Sequence, residues 1–546
     1  LSGPDSGSPP GGATVAAATF ELLRRLAVGE VFANPGSTEV PLLAAWPSDL
    51  RFILGLHEGS VVGIATGFAL AAQAPACVLL HTTAGLGNAT GALATARVNR
   101  SPLLVIVGQQ DRRHLALEPF LAGRLAGLGG EYPVWVDQPV RAADVPGAIA
   151  RAYHEALTAR GPALVIVPMD DWEAPAPQPH EVIGPVRLLR ARRVAGDDDL
   201  DALAALLDDA QAPALVVGAG ADEPRTWSAL VALAERLSCP VWQEAFSARV
   251  AFPADHPSYA GVLPAERSRL REALAGRDVV LAVGAPVFRQ YAYAPGPLTV
   301  AGTRVALVTD DPVEAHRSPT DLTLLADPAP TCEALLARVR ARTEPTHAAL
   351  GPPPRLAPPG VGEPLLAGHV FDALAEHLPP EAIVFEETPS SRPELHRRLP
   401  IRRSLGFVSA AMGGLGFALP AAIGARMASP DRPVTAVLGD GSSLYAIQGL
   451  WSAVEYSVGV LFIVLVNGRY AIMDRLAELA GSSPAWPAFE NVEVASIARG
   501  FGCEAAAVET PAQLHALLAE ICPGLATRTS PILVTVAVGT DRAFAP

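Results

Sequence analysis

The chain has 546 residues, half of them hydrophobic, which is enough to bury two or three cores of ordinary size. Its formal charge of −14, with no basic run to offset it, argues against nucleic acid or an anionic membrane as a partner. All 41 basic residues are arginine, so chemistries that need a lysine amine are excluded: Schiff-base aldolases, pyridoxal-phosphate enzymes and Walker-type nucleotide hydrolases.

In chain order, residues 1–12 are rich in Gly, Pro and Ser and read as a disordered leader outside the fold. A first block, 13–180, alternates strand and helix signals. It has a helix over 15–26, strands near 31–33, 52–55, 78–80, 103–107 and 164–167, and helices beginning near Glu58 and Gly87. The Pro-rich Ala174-Pro-Ala-Pro-Gln-Pro179 reads as a linker. A second block, 193–342, carries strands at 214–217, 279–283 and 304–309, and a Pro/Gly-rich linker over 343–364 leads to a third block, 365–546. This alternation predicts three consecutive α/β domains, each a mainly parallel sheet flanked by helices, with blocks one and three alike in size and apparent topology. The cysteines Cys77, Cys239, Cys332, Cys503 and Cys522 form no Cys-x-x-Cys pair and read as buried hydrophobes in a reducing compartment. No apolar stretch approaches membrane-spanning length and the start of the chain lacks a signal-peptide pattern, so a cytoplasmic location is expected.

The third block holds the most informative motif. The apolar run Val434-Thr-Ala-Val-Leu438 stops at Gly439-Asp440-Gly441, where backbone amides can approach a ligand closely. From Ser442 to Tyr456, the apolar residues Leu444, Ile447, Leu450, Trp451 and Val454 recur at helical spacing, predicting one crossover helix with its N-terminus facing an anion. A buried strand follows at 461–466. A right-handed crossover makes the two strands parallel neighbours and brings Asp440 and Asn467 to one sheet edge. Two oxygen ligands beside an anion site suit Mg²⁺, which completes its octahedron with water and phosphate oxygens. Gly-Asp-Gly alone is also a common turn. In the second block, Gly218-Ala-Gly220-Ala-Asp-Glu223 has Glu223 where a dinucleotide fingerprint needs its third glycine, so this block is expected to be scaffold.

Gly-Asp-Gly, a helix and then Asn467 in that order resembles the thiamin-diphosphate (ThDP) binding motif. The chain is identified as a member of the ThDP-dependent 2-keto acid decarboxylase and acetohydroxyacid synthase superfamily. The resemblance covers nearly the whole chain. It includes Val31-Phe-Ala-Asn-Pro-Gly-Ser37-Thr-Glu39, Leu54-Gly-Leu-His-Glu58-Gly, Leu80-His81-Thr-Thr-Ala-Gly-Leu-Gly-Asn88, Gly284-Ala-Pro-Val-Phe-Arg289 and Gly413-Gly-Leu415-Gly-Phe-Ala-Leu-Pro-Ala-Ala-Ile-Gly424. Together these look like the benzoylformate decarboxylase branch.

That resemblance implies pyrimidine-binding, middle and diphosphate-binding domains, with ThDP and Mg²⁺ as cofactors. It implies that Asp440, Asn467 and the backbone carbonyl of Arg469 hold the metal, and that Gly441, Ser442, Tyr470 and Ser390 lie near the diphosphate. Glu58 would exchange a proton with the pyrimidine N1′, the Gly413 carbonyl would accept the 4′-amine, and Leu415 would support the bent cofactor. Taken alone, Glu58 is also a helix-start carboxylate and Leu415 simply core. Ser37 would bind the substrate carboxylate, and His81 would orient its carbonyl and relay a proton.

Tyr291 falls where the decarboxylases carry a second histidine. A phenol's higher pKa slows proton relay and favours capture of the intermediate by a second carbonyl compound. Val466, before Asn467, replaces a commonly polar residue, and Pro389, Ile472 and Leu476 also depart from the benzoylformate pattern at positions expected to line the pocket. The expected reaction is decarboxylation of a 2-keto acid with an aromatic or other apolar side chain to an aldehyde. The alternatives are a carboligase forming or cleaving a 2-hydroxyketone with an aldehyde or ketone acceptor, and a catalytically silent homologue with a binding or structural role. The family also implies a homodimer or homotetramer with the cofactor at the subunit interface.

Overall fold

The computed structural model describes residues 13–176, 189, 192–346, 348, 351, 353–360 and 362–540. The leader at 1–12, the end of the first Pro-rich linker and parts of 343–364 lie outside the described residues.

Three six-stranded sheets follow one another along the chain, and every paired neighbour is parallel. The first contains β1 (Glu30–Asn34), β2 (Arg51–Leu54), β3 (Ala76–Leu80), β4 (Leu103–Gln109), β5 (Trp135–Asp137) and β6 (Pro162–Pro168) in the order β2-β1-β3-β4-β6-β5. The second contains β7 (Pro213–Val217), β8 (Val241–Gln243), β9 (Tyr259–Val262), β10 (Val279–Val283), β11 (Arg304–Thr309) and β12 (Leu322–Leu325), ordered β12-β11-β10-β7-β8-β9. The third contains β13 (Ile383–Glu387), β14 (Phe407–Ser409), β15 (Val434–Gly439), β16 (Leu461–Val466), β17 (Glu504–Val508) and β18 (Ile532–Ala537), ordered β14-β13-β15-β16-β18-β17. The first and third orders are the same when each sheet is counted from its own first strand, as the likeness between the blocks predicts. Central strands such as β3, β4, β7 and β10 are buried along their whole length, which explains their unbroken apolar runs.

Strand order fixes where ligands can bind. In a doubly wound sheet the crevice opens at the carboxyl ends of the two strands from which the chain departs in opposite directions. In the first sheet these are β1 and β3, which lead into Ser37 and His81. In the third they are β13 and β15, which lead into Thr388 and Asp440.

The second sheet has the strand order of dinucleotide-binding folds, yet its crevice is closed by packing. Gly218 N–H donates to Val283 O at 3.1 Å and Gly220 N–H to Gly284 O at 2.8 Å. A Cβ on Gly218 would lie 2.7 Å from the Ala285 Cβ, so these glycines serve contact between the β7 and β10 loops rather than approach to a pyrophosphate. Asp222 is turned inward, where it pairs with Arg249 at 3.4 Å and accepts from the Leu405 N–H at 3.0 Å.

By compactness the chain forms two units. One is the first sheet with the segments Ile423–Ser429 and Ala446–Tyr456, and the other carries the second and third sheets. Within the first unit, Ser452 Oγ donates to Leu54 O at 2.9 Å and the Tyr456 hydroxyl accepts from Leu54 N–H at 2.7 Å. Gly424 packs there against Ile64 O, where a Cβ would come within 1.8 Å.

These contacts correct one expectation. The single crossover helix over 442–456 is two short helices, Asp440–Ser443 and Gly449–Glu455, because the second half packs on the β2 end. The helix expected near Gly87 starts five residues earlier, at Thr82. The strands the sequence did not reveal are β5, β8, β9, β12, β14 and β17, which are short or at sheet edges where little apolar patterning is needed, and the buried interior strands β13 and β18. All five cysteines are buried and unpaired, and burial pushes each thiol upward, so none is poised as a nucleophile. Among the described residues, no helix is long and apolar enough to cross a membrane.

Candidate active site

The first unit supplies an acid held by amides and a histidine held by an acid. Glu58 opens the helix Glu58–Ala72 just after β2, and the residue is 8% exposed. Asn34 Nδ2, at the end of β1, donates to Oε1 at 3.1 Å, and Asn88 Nδ2 donates to Oε2 at 3.1 Å. Both oxygens are thus clamped by neutral donors. Such a carboxylate keeps a fixed orientation and spare lone pairs for a proton on a ligand.

His81 follows β3. Its Nδ1 lies 3.0 Å from Glu39 Oε2 and 3.0 Å from Thr38 Oγ1. Glu39 is almost fully buried and also accepts from Gly36 N–H at 2.7 Å and from the Thr38 hydroxyl. An ionised carboxylate only accepts, so Nδ1 donates to it and Nε2 is the ring nitrogen left to exchange a proton with a ligand. Two glycines make room for this pair. A Cβ on Gly36 would lie 2.5 Å from the His81 ring, and one on Gly108 in β4 would lie 1.7 Å from Glu39 Oε1. Thr82, next to the histidine, is buried with φ of +33°, a strained conformation for a β-branched residue. Ser37 begins the short 3₁₀ turn Ser37–Glu39, and its hydroxyl has no partner among the described residues. Gly108→Ala is therefore expected to expel Glu39 and reduce turnover about 100-fold, with a smaller effect on cofactor affinity, as read by steady-state kinetics beside a ThDP titration.

The second unit brings together the residues expected to meet a metal and a diphosphate. Asp440 ends the β15 loop with Oδ1 accepting from Gly441 N–H at 2.7 Å, and Oδ2 accepting from Asn467 N–H at 2.9 Å and Gly468 N–H at 2.7 Å. Burial pushes this carboxyl upward and the three N–H donors oppose the shift. The register pairs Gly439 with Leu465, so Asp440 and Asn467 share one sheet edge as expected. The Asn467 side chain is turned onto its own loop, with Oδ1 accepting from Arg469 N–H at 3.1 Å. Tyr470 covers the Gly-Asp-Gly turn; its ring is 5.0 Å from that of Phe489, and a Cβ on Gly441 would come within 2.6 Å of it. Ser442 is buried in the turn after Asp440.

Gly413, with φ of +71°, and Leu415 lie in the loop before the helix Ala418–Ala428. Ser390 follows β13. These residues, with Asp440, Asn467 and Tyr470, line a cleft of about 1640 Å³ within the second unit. Tyr291, Pro389, Ile472 and Leu476 line it too, as expected of pocket positions, and Tyr291 is 63% exposed with its ring 6.4 Å from Phe246.

The sequence reading missed Asn34, Asn88, Thr38, Glu39, Glu387 and Arg289 as site residues. All stood inside or near the motifs that carry the resemblance, Glu387 in Glu387-Thr-Pro-Ser-Ser391. What was not visible is that an acid meant to meet a ring nitrogen needs its other contacts to be neutral, and that His81 needs a partner to fix its tautomer.

Three family models match in order: the N-terminal TPP binding domain of thiamine pyrophosphate enzymes over residues 13–126, their central domain over 200–335 and their C-terminal TPP binding domain over 391–536. A benzoylformate decarboxylase of Pseudomonas aeruginosa is 41% identical over 521 residues, covering 93% of this chain and 97% of that protein. A solved thiamine diphosphate-dependent 4-hydroxybenzoylformate decarboxylase of Rhodococcus jostii RHA1 superposes with a TM-score of 0.92 at 36% identity, covering 97% of this chain and 100% of the other. The benzoylformate decarboxylase of Polynucleobacter necessarius gives 0.91 at 32% identity, covering 97% and 99%.

Proposed function

The chain belongs to the thiamine pyrophosphate enzyme family, and from that premise we propose that its two sets of residues serve one reaction, the decarboxylation of a 2-keto acid with an aromatic or other apolar side chain to the aldehyde. The protein is a ThDP-dependent 2-keto acid decarboxylase, a carbon–carbon lyase. When bound, ThDP supplies an electron sink at its thiazolium C2 for the pair released with carbon dioxide. The observation that carries the assignment of residues is Glu58, a buried carboxylate clamped by Asn34 and Asn88 at the start of a helix.

The donor set fits the cofactor. Asp440, the Asn467 side-chain oxygen and the Arg469 carbonyl are hard oxygen donors at one sheet edge, suited to Mg²⁺ on a diphosphate. Gly441, Ser442, Ser390 and Tyr470 surround the space for that diphosphate, and the missing Cβ at Gly441 leaves room for the Tyr470 ring. With ThDP bound, Glu58 would hold or give a proton at the pyrimidine N1′, the Gly413 carbonyl would accept from the 4′-amino group and Leu415 would support the bent cofactor. Ser37 binds the substrate carboxylate. His81 Nε2, fixed through Nδ1 by Glu39, orients the keto oxygen and passes a proton to the product carbon.

Glu58 and Asp440 lie in different compact units, and the family arrangement joins the first domain of one chain to the third of another. A homodimer or homotetramer completes the site. A cytoplasmic location fits the five buried, unpaired cysteines.

Product analysis tests this reading. With a panel of 2-keto acids, ThDP and Mg²⁺, aromatic acids are expected to be the best substrates, with carbon dioxide and free aldehyde as products. Tyr291 in place of a second histidine favours a hydroxyketone side product when aldehyde is added, and Tyr291→His is expected to suppress it. Carbon dioxide released only alongside hydroxyketone would assign the protein as a carboligase instead.

A further inference from the structure

We infer that Arg289 and Glu387 are positioning residues that hold the 411–418 loop, and with it the Gly413 carbonyl and the Leu415 side chain, in its cofactor-binding shape before a cofactor arrives. The inference rests on the reading of that loop as the pyrimidine support. Glu387 ends β13 and is 5% exposed. Its Oε1 accepts from Gly416 N–H at 2.7 Å, and Oε2 accepts from Phe417 N–H at 2.8 Å and Ala418 N–H at 2.8 Å. These amides enter the helix Ala418–Ala428, where N–H groups have no partner within the helix and a negative charge is favoured.

On the other side of the loop, Arg289 Nη1 donates to Ala411 O at 3.0 Å and to Phe246 O at 3.3 Å, with its Nε 3.7 Å from buried Glu244. A cation thus holds the carbonyl entering the loop and an anion holds the amides leaving it. Between these anchors, Gly413 and Gly416 both have positive φ, at +71° and +88°. Glycines lose the most conformational freedom on ordering, so a loop built on two of them keeps a single shape only when tethered at both ends.

Burial works against the charge on Glu387. Burial, the largest influence, and the neighbouring Glu386 push its carboxyl up to about 7 against the pull of the three N–H donors. Glu386 is itself 3.4 Å from Arg392. A carboxyl raised in the folded state costs stability as pH rises from its unfolded value through its folded one, and the cost is complete above it. At pH 8 the ionised group therefore contributes less stability than it does when protonated, while its oxygens still tie down three amides.

The test compares Glu387→Gln, Glu387→Ala and Arg289→Met with the parent protein. In cofactor-free protein, hydrogen exchange in the peptide covering 411–418 is expected to accelerate about tenfold or more in each variant. ThDP affinity, followed by tryptophan fluorescence, is expected to fall about 10–100-fold, with Glu387→Gln the mildest because its amide oxygen still accepts. The melting-temperature deficit of Glu387→Gln relative to the parent is expected to be smaller at pH 8 than at pH 5, because only the parent's carboxyl titrates in that interval, a pH dependence a purely packing role would not give. Parental exchange and affinity in both Glu387→Gln and Arg289→Met would overturn the inference, as would losses that merely track a lowered melting temperature. Failure of the parent protein to decarboxylate any 2-keto acid would sink the functional reading instead, while loop exchange would still decide the role of the two anchors.

Discussion

Glu58→Ala is expected to lower kcat by about three orders of magnitude, within the range for loss of a positioned acid–base group, while ThDP still binds within about tenfold of the parent affinity. The split follows from geometry. Glu58 lies in the first unit and accepts from Asn34 and Asn88, so its removal should take away the proposed proton exchange at N1′ without disturbing the hydrogen bonds of the Asp440 loop. Glu58→Gln tests the same point more sharply. It keeps the shape, but its amide must turn an NH₂ toward Asn34 or Asn88, both of which already donate. A loss as deep in Glu58→Gln as in Glu58→Ala would show that the ionisable carboxyl matters. Near-parental turnover in Glu58→Gln would remove Glu58 from the chemistry.

The second large effect is expected at Asp440. Asp440→Ala removes the proposed charged metal donor and also takes the Asp440 carboxylate acceptor from the N–H groups of Gly441, Asn467 and Gly468. Each unpaired buried amide costs about 1–3 kcal/mol, so a lower melting temperature is expected together with a loss of about 100-fold or more in Mg²⁺ and ThDP affinity. Asp440→Asn, which keeps one acceptor oxygen, separates the two effects: the fold should largely recover and metal affinity should not. Glu58→Gln and Asp440→Ala chains mixed under subunit exchange should regain part of the lost activity, because a hybrid contains one site with both acids. Absence of any recovery in verified hybrids would contradict a site shared between chains.

Much of the architecture is legible in the sequence because buried parallel strands leave unbroken apolar runs. β10, β11 and β16 fall where the pattern puts them. Short strands such as β8 and β14 escape because three residues are too few to set a period. The segment 442–456 misleads for another reason. Its helical spacing is real, but Ser452 and Tyr456 are recruited to Leu54, a partner about 400 positions away that no local pattern announces.

The same division holds at the site. Asp440 and Asn467 are legible because a strand–helix–strand unit fixes which residues meet at one sheet edge. The partnerships of Glu39 with His81 and of Glu387 with Gly416, Phe417 and Ala418 are tertiary, joining residues from separate elements. Their trace in the sequence is indirect, in glycines such as Gly36 and Gly108 whose missing side chains make the space.

The most direct test of the central claim is to measure carbon dioxide and benzaldehyde formed from benzoylformate by the purified protein, before and after removal of ThDP and Mg²⁺ and again on their return. Equal amounts of the two products, lost on removal and restored on return, are the predicted result. Protein that binds ThDP and Mg²⁺ yet releases no carbon dioxide from benzoylformate or any related 2-keto acid would contradict the account.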